Sequence, residues 1–450
     1  MSGNQNVGTA GEAGWHVSKY NLYARIPGSE KFAVVNLIRG ICEAYSFVEL
    51  CLLDEAETLP ENHPIIERFA KSGFIANYDE TEALKAMGRL TSRGSKIVSL
   101  TICPTMNCNF ACTYCFEKHR TGIMSKKVQD DVVSLAERIT DMLPAENLNV
   151  TWFGGEPLMG MNVITELTEK LRTLAEKKNM KYSANIITNG YLLTQKIVDT
   201  LVQCNIKSAQ ITLDGIGEFH DATRHLTGGG STFERITENL RTLKIPFRIS
   251  IRHNVHKENA NQIPLLRALT EKLAEESGNH LKYYSSPVSF NSVSYENEAD
   301  ISLLCDDDED NIAMGMMKDI DSFKIKAHFC GASILPYVAI DEQGRLYKCW
   351  EDAGNQEYSF GSAAEWDPKN PILTAEIPGN IISYINAAVI SESEDKECMK
   401  CIFLPVCAGG CPVRKVRYGH RQCVAYKNAP EKYVLALYEK AKKKKAASHD

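Results

Sequence analysis

No run of about eighteen consecutive apolar residues occurs anywhere in the 450-residue chain, so nothing in it reads as a membrane-spanning helix. Its opening, MSGNQNVGTAGEAG, has neither the basic start nor the apolar core of an export signal, and we expect a cytoplasmic protein. A net charge of −6 lacks the positive excess that general nucleic-acid affinity needs, and the lysines of AKKKKAASHD read as a solvated helix end. Neither nucleic acid nor membrane is therefore expected as a partner. Cysteine, by contrast, is abundant. Fifteen of them in a chain without an export signal point to a reducing compartment, where thiols serve metal binding or catalysis more readily than disulfides. The length suffices for two or three domains, each with its own core.

Residues 15 to 80 carry three β-like stretches, YNLYARI, KFAVVNLI and FVELCLL, and then the amphipathic PIIERFAKSGFI, which reads as a small sheet followed by helices. From Lys96 to about Val288 strands alternate with helical patterns: IVSLTI, LNVTWFGG, YSANIITNG, SAQITLDG, FRISIRHN and LKYYSSPV. Repeated β-α units predict a parallel sheet, and six are too few for the usual closed eight-unit barrel, so the expected fold class is α/β with an open or partial barrel. After the acidic YENEADISLLCDDDEDN come seven cysteines between Cys330 and Cys423, among short strands and turns, read as a separate metal-rich region. Cys42, Cys51 and Cys204 lie in apolar or helical patterns and are expected to be buried small side chains.

The stretch CPTMNCNFACTYCFEKH begins at Cys103 and sets Cys108, Cys112 and Cys115 in the spacing Cys-x3-Cys-x2-Cys, just past the C-terminal end of the first barrel strand. Parallel α/β folds carry their chemistry at that edge. A structural zinc site wants four closed ligands, typically two Cys-x2-Cys pairs. Three thiolates on one loop suit a four-iron cluster with one iron left open to a small molecule.

On Cys108, Cys112, Cys115 and the following Phe116 the sequence resembles the radical S-adenosylmethionine (SAM) superfamily. The resemblance implies an enzyme in which the open iron is chelated by SAM, an electron from the cluster cleaves the sulfonium, and the resulting 5′-deoxyadenosyl radical takes hydrogen from substrate. TWFGGEP matches the family's second element: Gly154 and Gly155 let the backbone approach a ligand closely, and Glu156 offers a carboxylate to the methionine ammonium. Asn189 with Thr188 and Gly190, Thr212 with Asp214, and Arg224 fall where the family contacts ribose and carboxylate. Arg252 reads equally as a site group or a paired surface arginine.

Cys330, Cys349, Cys398, Cys401, Cys407, Cys411 and Cys423 are similar to the seven-cysteine SPASM pattern of enzymes that modify peptides and proteins, with a zinc reading left open by the shared Cys-x2-Cys. By that resemblance Cys398, Cys401, Cys407 and Cys423 hold one auxiliary cluster, and Cys330, Cys349 and Cys411 another, making three four-iron clusters. Two fully ligated auxiliary clusters need eight thiolates, so one iron lacks a ligand unless Cys305 supplies it. Anaerobic sulfatase maturases, a SPASM group, place an extra cysteine between the first two and an aspartate after the second, where this chain has no cysteine and Trp350.

The expected organisation is therefore a winged-helix-like peptide-recognition domain at 1–90, a radical SAM partial barrel at 91–300 and a SPASM domain at 301–450. The expected activity is an oxidoreductase-type maturase that installs a thioether between a cysteine sulfur and a carbon of a ribosomally made precursor peptide. Its expected partners are the leader of that peptide and a reductant such as a flavodoxin or ferredoxin. Carbon–carbon crosslinking and formylglycine formation on sulfatases are the alternatives within the superfamily, and an iron–sulfur electron-transfer scaffold is the alternative outside it. No side chain is singled out as catalytic.

Overall fold

Local hydrogen bonding overrides apolar patterning near the N-terminus. In the computed structural model, which describes residues 14–60, 62–93, 96–255, 258–287, 331–334, 336–370, 395–413, 415, 423, 427 and 430–447, strands β2 (Asn21–Arg25), β3 (Lys31–Asn36) and β4 (Ile41–Ser46) form an antiparallel sheet. The third strand is thus not FVELCLL, as the sequence suggested, because those residues make helix α1 (Phe47–Asp54). Ser46 and Glu49 close a capping box: the Ser46 hydroxyl accepts from the Glu49 amide at 3.3 Å and the Glu49 carboxylate from the Ser46 amide at 2.8 Å. Such a cap contributes about 1 kcal/mol, enough to decide a short apolar run whose periodicity fits helix and strand alike. Cys51 consequently lies on an exposed helix face and not in a core, Cys42 is half-buried, and Cys204 is buried as expected.

Helix α2 (Pro64–Ser72) starts on a proline and stops at Gly73, which takes φ 75°. A short strand β5 (Ile75–Ala76) returns to pair with β1 (His16–Val17), and α3 (Glu80–Arg93) leads to the barrel.

The six expected strands are present as β6 (Ile97–Ile102), β7 (Asn147–Trp152), β8 (Lys181–Thr188), β9 (Ile206–Thr212), β10 (Arg248–Val255) and β11 (Leu281–Pro287), all parallel and in sequential order. Between them run α4 (Lys126–Met142), α5 (Met161–Lys177), α6 (Gln195–Gln203), the short α7 (Glu218–Asp221) with α8 (Phe233–Thr242), and α9 (Ile263–Ser277). Alternation along the strands sorts their faces. Val98, Leu100 and Ile102 of β6 and Leu148, Val150 and Trp152 of β7 are buried in one core with the helices. The opposite positions carry Asn149, Ser183, Asn185 and Ser208, half-buried and bonded across strands, as in Ser183 Oγ to Asn149 Oδ1 and Ser208 Oγ to Asn185 Oδ1, each 2.7 Å. The inner face of the sheet is therefore polar, as suits a cavity and not a packed interior.

Two further strands extend this sheet from the C-terminal part of the chain. β12 (Tyr337–Ile340) pairs parallel with β6, and β13 (Leu346–Tyr347) antiparallel with β12, giving the order β11-β10-β9-β8-β7-β6-β12-β13. α10 (Lys396–Lys400), α11 (Leu404–Cys407) and α12 (Pro430–Ala447) follow. Phe403, Leu404, Tyr433 and Val434 share one buried cluster with Tyr20, Leu22 and Val35, so the two ends of the chain pack on each other. Cys305, Cys330 and the acidic stretch around Cys305 lie outside the described residues. Among the described residues no helix is long and apolar enough to cross a membrane.

Candidate functional site

At the C-terminal ends of the parallel strands lies a cavity of about 310 Å³, lined by Cys108, Cys112 and Cys115 together with groups from every strand from β7 to β10 or the turn beyond it. The loop that bears the cysteines is held on two sides. On one, the amide of Ala111 donates to His225 O at 2.9 Å, Thr113 to Thr223 O at 3.0 Å, and Thr227 to Asn109 O at 2.9 Å, a backbone zipper that sets Arg224 against the loop. On the other, Gly155 donates to Thr105 O at 3.3 Å and Glu156 to Asn107 O at 2.9 Å.

That second contact assigns the glycines a role the sequence did not reveal. A Cβ on Gly155 would lie 2.6 Å from the Asn107 carbonyl carbon and 2.7 Å from Met106 O, and one on Gly154, at φ 109°, would lie 2.9 Å from Cys103 Cβ. Their smallness serves close packing of the turn on the cysteine loop as well as access to the cavity.

Tyr114, between the second and third cysteines, organises the polar floor. Its hydroxyl donates to Asp214 Oδ2 and accepts from Arg224 Nη1 at 2.9 Å and Asn254 Nδ2 at 3.0 Å. Burial works against the Arg224 charge, yet the surrounding Cys112, Tyr114 and Asp214 raise its pKa well above the ordinary value, so it is a fixed cation. Its Nε is buried without a hydrogen-bond partner. Burial pushes the thiols of Cys108 and Cys115 up to about 12 and that of Cys112 upward too, with Arg224 pulling Cys112 back.

Of the other residues expected at the site, Phe116, Asn189 and Thr212 line the cavity. Asn189 also donates through Nδ2 to Asn109 Oδ1 at 2.8 Å, tying β8 to the cysteine loop. Arg252 lies within β10, lines the cavity and pairs with Asn254 Oδ1 at 2.7 Å. Glu156 is fully buried and turned inward: its carboxylate accepts from Leu158 N at 2.9 Å, Thr188 Oγ1 at 2.7 Å and Asn189 N at 2.8 Å.

Sequence reading passed over Glu117, His119 and Trp350 as site groups, although all three line the cavity. Cys115, Glu117 and His119 bring one ligand atom each to within 4.8 Å of one another, with His119 Nε2 3.5 Å from Cys115 Sγ. The signal was present in the alternation of ligand-type residues in CFEKH. Rings run from the cysteine loop towards Cys349: Phe116 stacks on Phe153 with centroids 6.5 Å apart, and Trp350 lies tilted against Phe153 at 5.7 Å.

Arg120 anchors the far end of the loop to the turn between β12 and β13. It donates to Glu342 Oε1 and Oε2 at 2.9 Å each and to Gly354 O at 2.8 Å, with Asp341 at 3.3 Å. Both carboxylates are buried. Arg120→Ala leaves the buried Glu342 short of a countercharge, while Asp341 keeps Arg345 at 2.8 Å, and is expected to cost about 3 kcal/mol, lowering the melting temperature in a thermal scan, whereas Lys127→Ala, which removes an exposed pair, should leave it unchanged.

Cys398, Cys401 and Cys407 pack together against the cluster around Phe403, and Lys427 lies in the field of Cys423 foremost, then Cys401 and Cys398. Cys349 directly precedes Trp350, and Cys411 is half-buried. Cys330 lies outside the described residues.

Against known families, the model described as the radical SAM superfamily matches residues 102–268, the span from the end of β6 into α9. That segment is a radical SAM domain. The chain is 24% identical over 244 residues to the radical SAM cyclopropyl synthase TigE of Paramaledivibacter caminithermalis, covering 48% of each chain. With the cysteine-type anaerobic sulfatase-maturating enzyme of Clostridium novyi it shares 23% identity over 353 residues, 70% of this chain and 88% of the relative. It spans about half or less of the first curated relatives it matches. In fold it is similar to native anSMEcpe solved with bound AdoMet and Cp18Cys peptide, with TM-score 0.56 and 20% identity over 77% of this chain and 99% of that one.

The donor set of the radical SAM domain fits the groups its family implies. Three cysteines line one cavity, with no fourth cysteine lining it among the described residues, and the Arg224 guanidinium lines it beside them.

Proposed function

We propose that the chain is a radical SAM enzyme that acts on a ribosomally made precursor peptide and joins a cysteine sulfur to a carbon of a second residue. The observation that carries the radical SAM part is the convergence of Cys108, Cys112, Cys115 and Arg224 on one cavity at the C-terminal edge of a parallel sheet. When bound there, a four-iron cluster and SAM supply reductive cleavage of the sulfonium and removal of hydrogen from the substrate. The three cysteines hold the cluster and leave one iron open. Asp214 and Tyr114 fix Arg224, whose guanidinium neutralises a carboxylate. Phe116, Phe153 and Trp350 give the cavity an apolar wall, and the polar inner face of the sheet receives the acceptor residue.

The remaining assignments belong to the same proposal. Cys398, Cys401, Cys407 and Cys423 hold one auxiliary cluster, and Cys330, Cys349 and Cys411 a second with an iron open to a substrate thiolate, a soft ligand for a soft site. Residues 1–90 bind the leader, 91–300 carry the radical chemistry and 301–450 form the SPASM domain. A flavodoxin or ferredoxin in the cytoplasm supplies the electron.

Trp350 lining the cavity next to Cys349 favours this reading over formylglycine formation, since the sulfatase maturases carry an aspartate in the place of that indole. Incubation with a cysteine-bearing peptide encoded by a neighbouring short reading frame is the test. The expected product has lost two hydrogens per link, resists alkylation at the linked cysteine and appears with one 5′-deoxyadenosine per link. Exchanging that cysteine for serine should leave leader binding intact and stop cyclisation, because an alcohol is a harder and far less acidic ligand than a thiol. A product that loses two hydrogens while every thiol stays open to alkylation would instead establish carbon–carbon crosslinking.

A further inference from the structure

The inner face of the sheet carries a cation that the reaction above does not use. Strand β10 turns Ile249, Ile251 and Val255 to the core shared with the helices and leaves Ser250, Arg252 and Asn254 half-buried on its other face. Arg252 stands opposite Thr212 of β9 and Tyr284 of β11, at the level where the parallel strands meet the cavity. Among the described residues only neutral groups hold it. Its Nε donates to Asn254 Oδ1 at 2.7 Å and its Nη2 to Ser286 Oγ at 3.3 Å, and no ion pair joins it to a carboxylate there. Arg224, the other arginine of the cavity, is placed differently, since the Tyr114 hydroxyl links it to Asp214. A half-buried guanidinium fixed by neutral acceptors keeps its charge for a ligand, because charges withdrawn from water are normally paired.

The neighbours of Arg252 point to the same sign of ligand. Burial raises the pKa of the Tyr284 phenol, with Arg252 pulling it back, so the hydroxyl keeps its proton and donates to Gln210 Oε1. That bond occupies the carbonyl end of the Gln210 amide. The nitrogen end, a donor only, is left for the cavity that Gln210 lines. Thr212 adds a hydroxyl on the same face of β9, opposite Arg252. Guanidinium, amide and hydroxyl donors on adjacent strands suit a carboxylate, whose two oxygens accept in one plane.

We propose that Arg252 receives a carboxylate of the peptide substrate, so that the residue presented for hydrogen removal is an aspartate or a glutamate. The proposal rests on the peptide-maturase reading given above and adds to it the chemical class of the acceptor residue. The C-terminus of the peptide is the other source of a carboxylate.

The peptide encoded by the neighbouring short reading frame is incubated with the anaerobically reconstituted native protein, Arg252→Gln and Arg252→Lys, and the link is located by fragmentation in the mass spectrometer. The expected acceptor is an aspartate or a glutamate. Arg252→Gln should lower kcat/KM for the linked product about tenfold to a hundredfold, while SAM affinity in equilibrium dialysis, iron content and circular dichroism stay as in the native protein. Arg252→Lys should fall between the two, because an ammonium keeps the charge and loses the planar fork. A peptide whose acceptor carboxylate is changed to the amide should lose a similar factor with the native protein and nothing further with Arg252→Gln. Amidating the peptide's C-terminus should change nothing. If that amidation removes the dependence on Arg252 and the side-chain amide does not, the acidic acceptor is overturned. A link to a residue without a carboxylate overturns it too, as do independent losses from the two changes. Weaker SAM binding in Arg252→Gln, with the preference between acidic and amide peptides unaltered, overturns it by moving Arg252 to the cofactor. A native protein that forms neither the link nor 5′-deoxyadenosine sinks the maturase reading, and this proposal with it.

Discussion

Replacing Cys108, Cys112 and Cys115 together by alanine should abolish SAM cleavage altogether, with no 5′-deoxyadenosine formed under reducing conditions that give it readily in the native protein. The three cysteines line one cavity, and the zipper to residues 223–227 and the pairing with Gly155 hold both flanks of their loop. Without them no iron remains to present SAM to an electron. Iron content makes the result specific. With about four irons at each of three sites, the native protein should carry about twelve and the triple variant about eight, because the C-terminal cysteines are untouched. Normal cleavage by the triple variant refutes the site. Tightly bound zinc in the C-terminal region of the native protein, in place of iron, refutes the auxiliary clusters.

Gly155→Ala should be the most damaging single-atom change outside the ligands. The added methyl meets the backbone of Met106 and Asn107, which cannot rotate aside as a flexible side chain would. Overpacking of this kind costs about 1 to 3 kcal/mol, and the loop carrying Cys108 starts one residue beyond the collision. A displacement of about 1 Å at the loop should lower SAM cleavage on the order of a hundredfold while circular dichroism shows a folded protein. Gly228→Ala, where a Cβ would meet nothing within 4 Å, is the control and should behave as the native chain. Equal activity in Gly155→Ala and Gly228→Ala would mean that the loop tolerates the shift and that the glycines do not act through it.

Both predictions follow from how closely the two motifs pack, which the sequence could state only in part. Six parallel strands were legible because each apolar run ends in turn residues and is followed by a helical period, and a repeated strand-helix unit has few ways to pack other than a parallel sheet. The cysteine loop was legible because metal chemistry demands particular donor atoms at short spacing, and donor identity is written directly in the residues. FVELCLL was misread as a strand because seven apolar-rich residues fit either period, and two hydrogen bonds between Ser46 and Glu49 settled the matter.

Composition, spacing and periodicity by themselves determined the α/β class, the order of the barrel strands and the three cysteines that line one cavity. Orientation was left to the tertiary structure. That Glu156 spends its lone pairs on two backbone amides and a hydroxyl depends on where Leu158, Asn189 and Thr188 stand after β7 and β8 have packed side by side. That β12 joins the sheet beside β6, bringing Trp350 to the cavity wall, depends on chain returning from more than two hundred residues away. Spacing along a chain encodes contacts made within a loop or across a helical turn. Contacts between distant segments are selected by the shape of the surfaces that remain once each element has buried its own apolar face, and no local pattern records that shape.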